Sequence, residues 1–116
     1  CIDMEKDFIS DDGQEIFNVF SQYGIRDVLI LGVHTNACIL GRSFGIKQLV
    51  RTGIRVALVR DYTDAMYNPA LSPYVSHDEG TALVVGYIEK FWCPTVMGRD
   101  LLAEIKAKSR GAQACP

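Results

Sequence analysis

Two short apolar runs without polar alternation most constrain the fold of this chain. One is Val-Leu-Ile-Leu-Gly-Val over Val28–Val33, and the other is Val-Ala-Leu-Val over Val56–Val59. Continuous apolar runs of this length are typical of strands that helices cover on both faces of a parallel sheet. We therefore predict buried parallel strands, with Val28–Val33 as a central one.

Helical patterns alternate with these strands along the chain. The predicted helices are a first that begins at Ser10 or Asp12 and ends at Gly24, a second over 36–51, a third that starts with the capping box Ser76 to Glu79 and ends near Phe91, and a terminal one over 100–108. A long connection over 61–76 and a short strand over 92–96 complete the order. Because Pro94 interrupts that last strand, we expect it near a sheet edge. This order predicts an α/β fold with three α/β/α layers and a mostly parallel, Rossmann-like sheet.

Composition excludes several classes of partner. The chain has 116 residues, with 12 basic against 14 acidic side chains, so it has no positive surplus for nucleic acid or an anionic membrane. Its apolar runs fall short of the roughly 20 residues that cross a bilayer. Four cysteines without a Cys-x-x-Cys pair fit a reducing compartment, and we expect the cytoplasm. We predict one domain over 1–109 and a flexible tail over 110–116.

Four residues separate Cys38 from Val33, where the first strand ends, so the thiol lies at the start of the second predicted helix. Ligands of parallel α/β folds bind at the carboxyl ends of strands, where helix starts present unpaired amides. Such a position favours the thiolate form of a cysteine, and the amides of Ala37 and Cys38 suit an oxyanion. The alternative interpretation is an inert core cysteine, since free cysteines are often buried.

The whole segment from Gly24 to Asp61 resembles the isochorismatase-like cysteine hydrolases, which include nicotinamidases and N-carbamoyl-amidohydrolases. The resemblance rests on a buried strand, the turn Gly-Val-His-Thr-Asn-Ala-Cys over 32–38, a helix, and a second strand, Arg55 to Arg60, that Asp61 follows. His77, ahead of the next helix, also resembles a histidine of that family. The similarity extends to about Val96, and the strands that come first in the family's domain are expected upstream of this chain.

The resemblance implies a nucleophile, a lysine and an aspartate. The nucleophile is Cys38, and Lys6 lies roughly where the family has its lysine; a solvated surface lysine is the alternative interpretation. The family's aspartate, the general base, is expected upstream, and Asp3 resembles its motif but lacks a preceding strand. The family also places a cis peptide after the Gly-Val, here Val33–His34.

Further residues are predicted to surround the thiol. His34, Thr35 and Ala37 are candidates for the oxyanion and substrate site, while Tyr67 and Asn68 are candidates for the pocket wall because their loop follows a strand end. The alternatives are a surface histidine and a scaffolding loop with an Asx turn at Asn68. Helix capping explains Ser76 to Glu79, and we assign no metal and no cofactor.

The resulting hypothesis is a hydrolase that cleaves a carbon–nitrogen bond of a small amide-type substrate through a Cys38 thioester. The expected partner is a small molecule, and the complete protein is expected to form homo-oligomers. Two alternatives stay open. One is a non-catalytic member of the same fold that binds a small molecule or partner, and the other is a redox-sensing thiol.

Overall fold

The computed structural model describes residues 1–108. Its elements, in chain order, are α1 (Gly13–Tyr23), β1 (Asp27–Val33), a π-helical turn (Thr35–Ile39), α2 (Ile46–Arg51), β2 (Arg55–Asp64), α3 (His77–Phe91), β3 (Thr95–Val96) and α4 (Gly98–Lys108). The predicted tail lies outside the described residues, so the proposed domain limits stay a prediction. No helix within residues 1–108 is both long and apolar enough to cross a membrane.

The strands form a parallel sheet in the order β1-β2-β3. The register runs from Asp27 opposite Arg55 at one end to Val33 opposite Asp64 at the other. The predicted α/β class is therefore confirmed, as is the edge position of the strand near Pro94. The prediction of a central first strand is wrong for the described chain, because β1 forms one edge of this sheet.

β1 is covered on one face only, which corrects the prediction that both faces are buried. Exposed and half-buried residues alternate along it; Leu29 is 50% and Leu31 is 53% exposed. The other face packs on the core, whose buried members are Ile39, Leu40, Ile46, Leu49, Ile54, Val56, Leu58, Val85, Ile88 and Cys93. The continuous apolar run predicts a helix over each face of β1, and no described helix buries the face that carries Leu29 and Leu31. We name the exposed cluster of Leu29, Leu31, Tyr62, Leu102 and Ile105 the apolar face.

Helix α1 begins and ends where the sequence predicts. The Asp12 carboxylate accepts hydrogen bonds from the backbone amides of Gln14 and Glu15, which are unpaired donors of the first turn. Gly24 closes the helix with a φ of 65°, a conformation that glycine adopts without steric cost. The capping box of Ser76 and Glu79 at α3 is also confirmed.

The predicted second helix is two separate pieces. The π-helical turn ends at Ile39, and α2 begins only at Ile46. Between them the backbone turns so tightly that a Cβ on Gly45 would lie 2.8 Å from the carbonyl oxygen of Ile39. The apolar periodicity did not reveal this break, although the low helix propensity of Gly41, Ser43 and Gly45 is consistent with it.

Strand β2 runs to Asp64, beyond its predicted end at Arg60. A bulge interrupts the pairing, since the register passes from Leu58 to Thr63 while β1 passes only from Ile30 to Gly32. Within the bulge, the Asp61 carboxylate accepts hydrogen bonds from the amides of Gly98 and Arg99 and so caps α4. The bond from Gly98 is the main reason that the pKa of Asp61 lies below its ordinary value.

The apolar face predicts self-association of the 116-residue chain. We expect Leu31→Lys to weaken that association about tenfold or more, because it removes one apolar contact worth roughly 1.5–3 kcal/mol and adds a charge. Sedimentation velocity over a concentration series measures the effect. Leu71→Lys is the matched control, since Leu71 is 61% exposed and lies in a loop away from the apolar face. A monomeric wild-type chain with a cooperative melt would contradict the prediction.

Candidate active site

The turn Thr35–Ile39, here named the Cys38 turn, follows the carboxyl end of β1 directly. Cys38 is half-buried there and carries a free thiol. The amides of Ala37 and Ile39 both donate to the His34 carbonyl oxygen, each at 3.1 Å. The peptide bond between Val33 and His34 is cis, as the resemblance implies. The structure thus places the thiol near the carboxyl ends of the strands, where parallel α/β folds bind ligands.

Thr35 fastens this turn to β2. It is completely buried, and its hydroxyl oxygen lies 2.6 Å from that of Thr63. The Thr63 hydroxyl donates its one hydrogen to the Gly32 carbonyl oxygen at 2.7 Å, so Thr35 is the donor to Thr63. Although the sequence suggests Thr35 for the substrate site, the structure gives its hydroxyl an internal partner. A substrate could reach that hydroxyl only if the turn opened.

Asn36 joins the turn to the segment after β2. Its amide oxygen accepts from the Met66 backbone N–H at 2.9 Å, and its amide nitrogen donates to the Met66 carbonyl at 3.1 Å. The side chain therefore pairs with one residue as a neighbouring strand would. Because Asn36 lies two residues before Cys38, this pairing ties the position of the thiol to that of Met66.

His77 and Asp64 form an ion pair beside this segment. The His77 Nε2 lies 2.8 Å from Asp64 Oδ1, and Nδ1 lies 2.9 Å from the Tyr67 carbonyl oxygen. Both partners are acceptors, so the doubly protonated imidazolium is the form that satisfies both nitrogens. Thr81 adds a hydrogen bond to the same carboxylate oxygen at 3.2 Å.

The pKa directions follow from these contacts. The hydrogen bond to Asp64 is the first reason that the pKa of His77 is raised, and the Tyr67 carbonyl adds to it. The hydrogen bond from His77 is the main cause that lowers the pKa of Asp64. The charge of exposed His34 contributes in the same direction, so His34 lies within electrostatic reach of Asp64.

The predicted pocket residues Tyr67 and Asn68 both have internal partners. The Tyr67 hydroxyl donates to the carbonyl oxygen of Leu71 or Val75 and accepts from the Val75 amide. Its ring lies against His77, with centroids 6.5 Å apart. The Asn68 carboxamide accepts from the Ala70 amide, which is the Asx turn of the scaffolding interpretation. These contacts hold the loop in shape, and a role in the substrate pocket stays a prediction.

Lys6 is not brought to the Cys38 turn. Its side chain is 82% exposed and pairs with Asp3 at 3.5 Å in a local turn. It lines a surface cleft whose other walls come from the N-terminal segment and α1. Within residues 1–108, no hydrogen bond or ion pair joins Lys6 or Asp3 to the Cys38 turn. The Ala37 amide is also engaged with His34, so an oxyanion would have to share it.

Sequence reasoning did not identify Asn36, Thr63, Asp64 and Thr81 as members of this cluster. Asp64 and Thr63 fell in the connection over 61–76, because β2 was predicted to end at Arg60. The available signal was the pair of polar positions Asp64 and His77, which bracket a connection between a strand and a helix. In a parallel sheet, such positions lie at the same edge. Among the described residues, no three His, Cys, Asp or Glu side chains are grouped to hold a metal ion.

Solved structures reveal the fold that positions this cluster. No protein-family model matches the sequence, and no curated protein matches it. A cysteine hydrolase from Pseudomonas syringae pv. phaseolicola 1448A superposes with a TM-score of 0.65 at 17% identity, covering 82% of this chain and 44% of that one. A proposed isochorismatase from Burkholderia xenovorans LB400 gives 0.64 at 14% identity, covering 88% and 48%. The chain has the isochorismatase-like fold and spans under half the length of these proteins.

The Thr35–Thr63 hydrogen bond should contribute measurably to stability. We expect Thr35→Val, which keeps the shape, to lower the free energy of unfolding by about 1 kcal/mol. Thr63→Val should cost more, roughly 2 kcal/mol, because it leaves the buried Thr35 hydroxyl and the Gly32 carbonyl without their partner. Urea unfolding of both variants measures the difference. Equal stability of the three proteins would contradict the assigned hydrogen bonds.

The Asp64–His77 pair predicts a pH-dependent stability. A raised pKa of His77 means that its contribution is complete below the ordinary histidine value of about 6.5 and is lost as the pH rises through the raised value. A lowered pKa of Asp64 means that its contribution is lost as the pH falls through the lowered value. We therefore expect the urea midpoint to decline above about pH 6.5 in the wild type.

The control for this prediction is His77→Gln, which should abolish the decline. The chain has two histidines, so NMR titration can follow each ring separately, with His34→Gln to assign the signals. A midpoint that stays constant between about pH 6 and 8 in the wild type would show that the pair does not contribute.

Proposed function

We propose that this chain carries the nucleophile of a hydrolase that cleaves a carbon–nitrogen bond in a small amide-type substrate. The observation that carries the proposal is the place of Cys38. Its free thiol is half-buried in a turn at the carboxyl end of a parallel strand, in an isochorismatase-like fold. One structure with this fold is described as a cysteine hydrolase.

The proposed chemistry has two steps. The Cys38 thiolate attacks the carbonyl carbon of the amide, and the carbon–nitrogen bond breaks as the leaving nitrogen takes up a proton. The resulting thioester is then attacked by water, which releases the acid and restores the thiol. Amides at the start of the Cys38 turn are the candidates that would stabilise the negative oxygen of each tetrahedral intermediate.

The positions of the other side chains limit which of them can act as the base. His77 uses both ring nitrogens on Asp64 and Tyr67, so it has no nitrogen left to accept the thiol proton in this conformation. By resemblance, the base is an aspartate upstream of this chain, and Lys6 remains the candidate lysine. The activity of the whole protein, its small-molecule substrate and its assembly are therefore part of the proposal.

A second candidate is a non-catalytic member of the fold. It is favoured by the surroundings of Lys6, because the side chain of the proposed lysine is 82% exposed and has an ion pair of its own with Asp3. Such a protein would bind its ligand near the carboxyl ends of the strands, while Cys38 would react as an ordinary thiol.

Alkylation distinguishes the two candidates. We expect iodoacetamide at pH 7 to label Cys38 about tenfold faster in the folded chain than in the same chain in denaturant, because only the folded turn places the sulfur beside backbone amides that can stabilise the reacting group. Peptide mass spectrometry measures the rate at each cysteine, with Cys38→Ala as the control for assignment. Buried Cys93, whose pKa is raised by its burial, should react more slowly when folded. Equal or slower labelling of Cys38 in the folded chain would rule out activation.

A further inference from the structure

His77 holds the segment 64–67 at two points. Its Nε2 contacts the Asp64 carboxylate at the end of β2, and its Nδ1 contacts the Tyr67 carbonyl. Thr81 supports the same stretch, since its hydroxyl donates to Asp64 and accepts from the Ala65 amide. The first residues of α3 therefore determine the path that the backbone takes after β2.

Asn36 holds the same segment from the opposite side. Both hydrogen bonds of its carboxamide go to the Met66 backbone, between the two points that His77 contacts. The only covalent steps from Asn36 to the thiol are Ala37 and Cys38. Hydrogen bonds to Met66 and to Tyr67, joined by the peptide bond between these two residues, thus connect the His77 ring to the Cys38 turn.

We propose that Asp64 and His77 are positioning residues for Cys38, acting through the segment 64–67 and Asn36 to keep the Cys38 turn in its reactive geometry. This inference rests on the proposed function, because it requires that the folded turn activates the thiol. Neither residue touches the thiol or the reacting atoms in this scheme. Loss of the ion pair slows the reaction of Cys38 while the fold persists.

The ion pair makes the positioning dependent on pH. Two carboxylates act on the His77 charge, Asp64 from β2 and Asp78 from α3. His34, the residue before the Cys38 turn, acts on the Asp64 charge. Only the imidazolium form of His77 donates to both of its acceptors, so deprotonation frees either Asp64 or Tyr67. The labelling rate divided by the amount of thiolate should therefore decline as the pH rises through the midpoint of the His77 titration. The amount of thiolate itself increases with pH.

The test measures the iodoacetamide rate at Cys38 in the full chain between about pH 6 and 9, with the His77 titration followed by NMR. We expect His77→Gln and Asp64→Asn each to slow labelling at pH 7 by roughly threefold to tenfold, and the double variant to be no slower than either one. Asp78→Asn is the matched control, because it removes a carboxylate next to His77 that makes no hydrogen bond to the ring. It should label at the wild-type rate.

Two measurements separate positioning from a general loss of structure. In Asp64→Asn, the NMR midpoint of His77 should fall, and the pH at which labelling per thiolate declines should fall with it. Asn36→Asp leaves the ion pair intact but replaces the donor to the Met66 carbonyl with an oxygen, and it should slow labelling as well. Circular dichroism of each variant reports whether the fold persists, and Asn36→Asp provides the test where a His77 variant does not fold.

The outcomes identify which claim fails. If the folded wild type labels faster than the denatured chain but the His77, Asp64 and Asn36 variants match it, the positioning role is overturned and the proposed function stands. If the folded wild type labels no faster than the denatured chain, both are overturned. The inference is supported if the folded variants label slowly and if the pH at which labelling per thiolate declines follows the NMR midpoint of His77.

Discussion

The parallel register between β1 and β2 is the constraint on which the site depends. It brings Val33 opposite Asp64, so the residues that follow each strand emerge side by side at one edge of the sheet. The Cys38 turn follows one strand and the segment 64–67 follows the other. Because these segments are adjacent, Thr35 forms a hydrogen bond with Thr63, and Asn36 forms one with Met66.

The bulge in β2 adjusts this register locally. It allows Asp61 to face α4 and cap its first turn, while Thr63 and Asp64 return to pair with β1. One strand thereby carries a structural carboxylate and, three residues later, a carboxylate in the candidate site. The two differ in their partners, because Asp61 accepts from backbone amides and Asp64 accepts from His77 and Thr81.

Much of the fold was predictable from sequence because its signals are local. The cap at Asp12, the glycine at Gly24 and the capping box at Ser76 are short patterns with direct physical causes, and each is found as predicted. The break before α2 was not predicted, because it depends on the close approach of Gly45 to the Ile39 carbonyl. The exposed face of β1 was not predicted either. An apolar run indicates a buried strand, but it does not identify the helices that cover each face.

In the candidate site, too, the residues of a local motif were predictable and those contributed by distant segments were not. Cys38 and its turn could be found from a motif, and the structure places them at the sheet edge. The partners of that turn, Thr63 and Met66, lie 28 and 30 positions further along the chain, and only the tertiary fold brings them close. Lys6, whose candidacy depends on resemblance alone, lies in a local turn where it pairs with Asp3.

The central claim is that the folded turn makes Cys38 a nucleophile that forms a thioester. The most direct measurement is peptide mass spectrometry of the chain after brief exposure to p-nitrophenyl acetate at neutral pH. The result that we predict is a single acetyl group on Cys38, which is lost again on incubation in water and is absent from the denatured chain. Acetylation confined to lysines, or equal labelling of Cys38 in the folded and denatured chains, would contradict the claim.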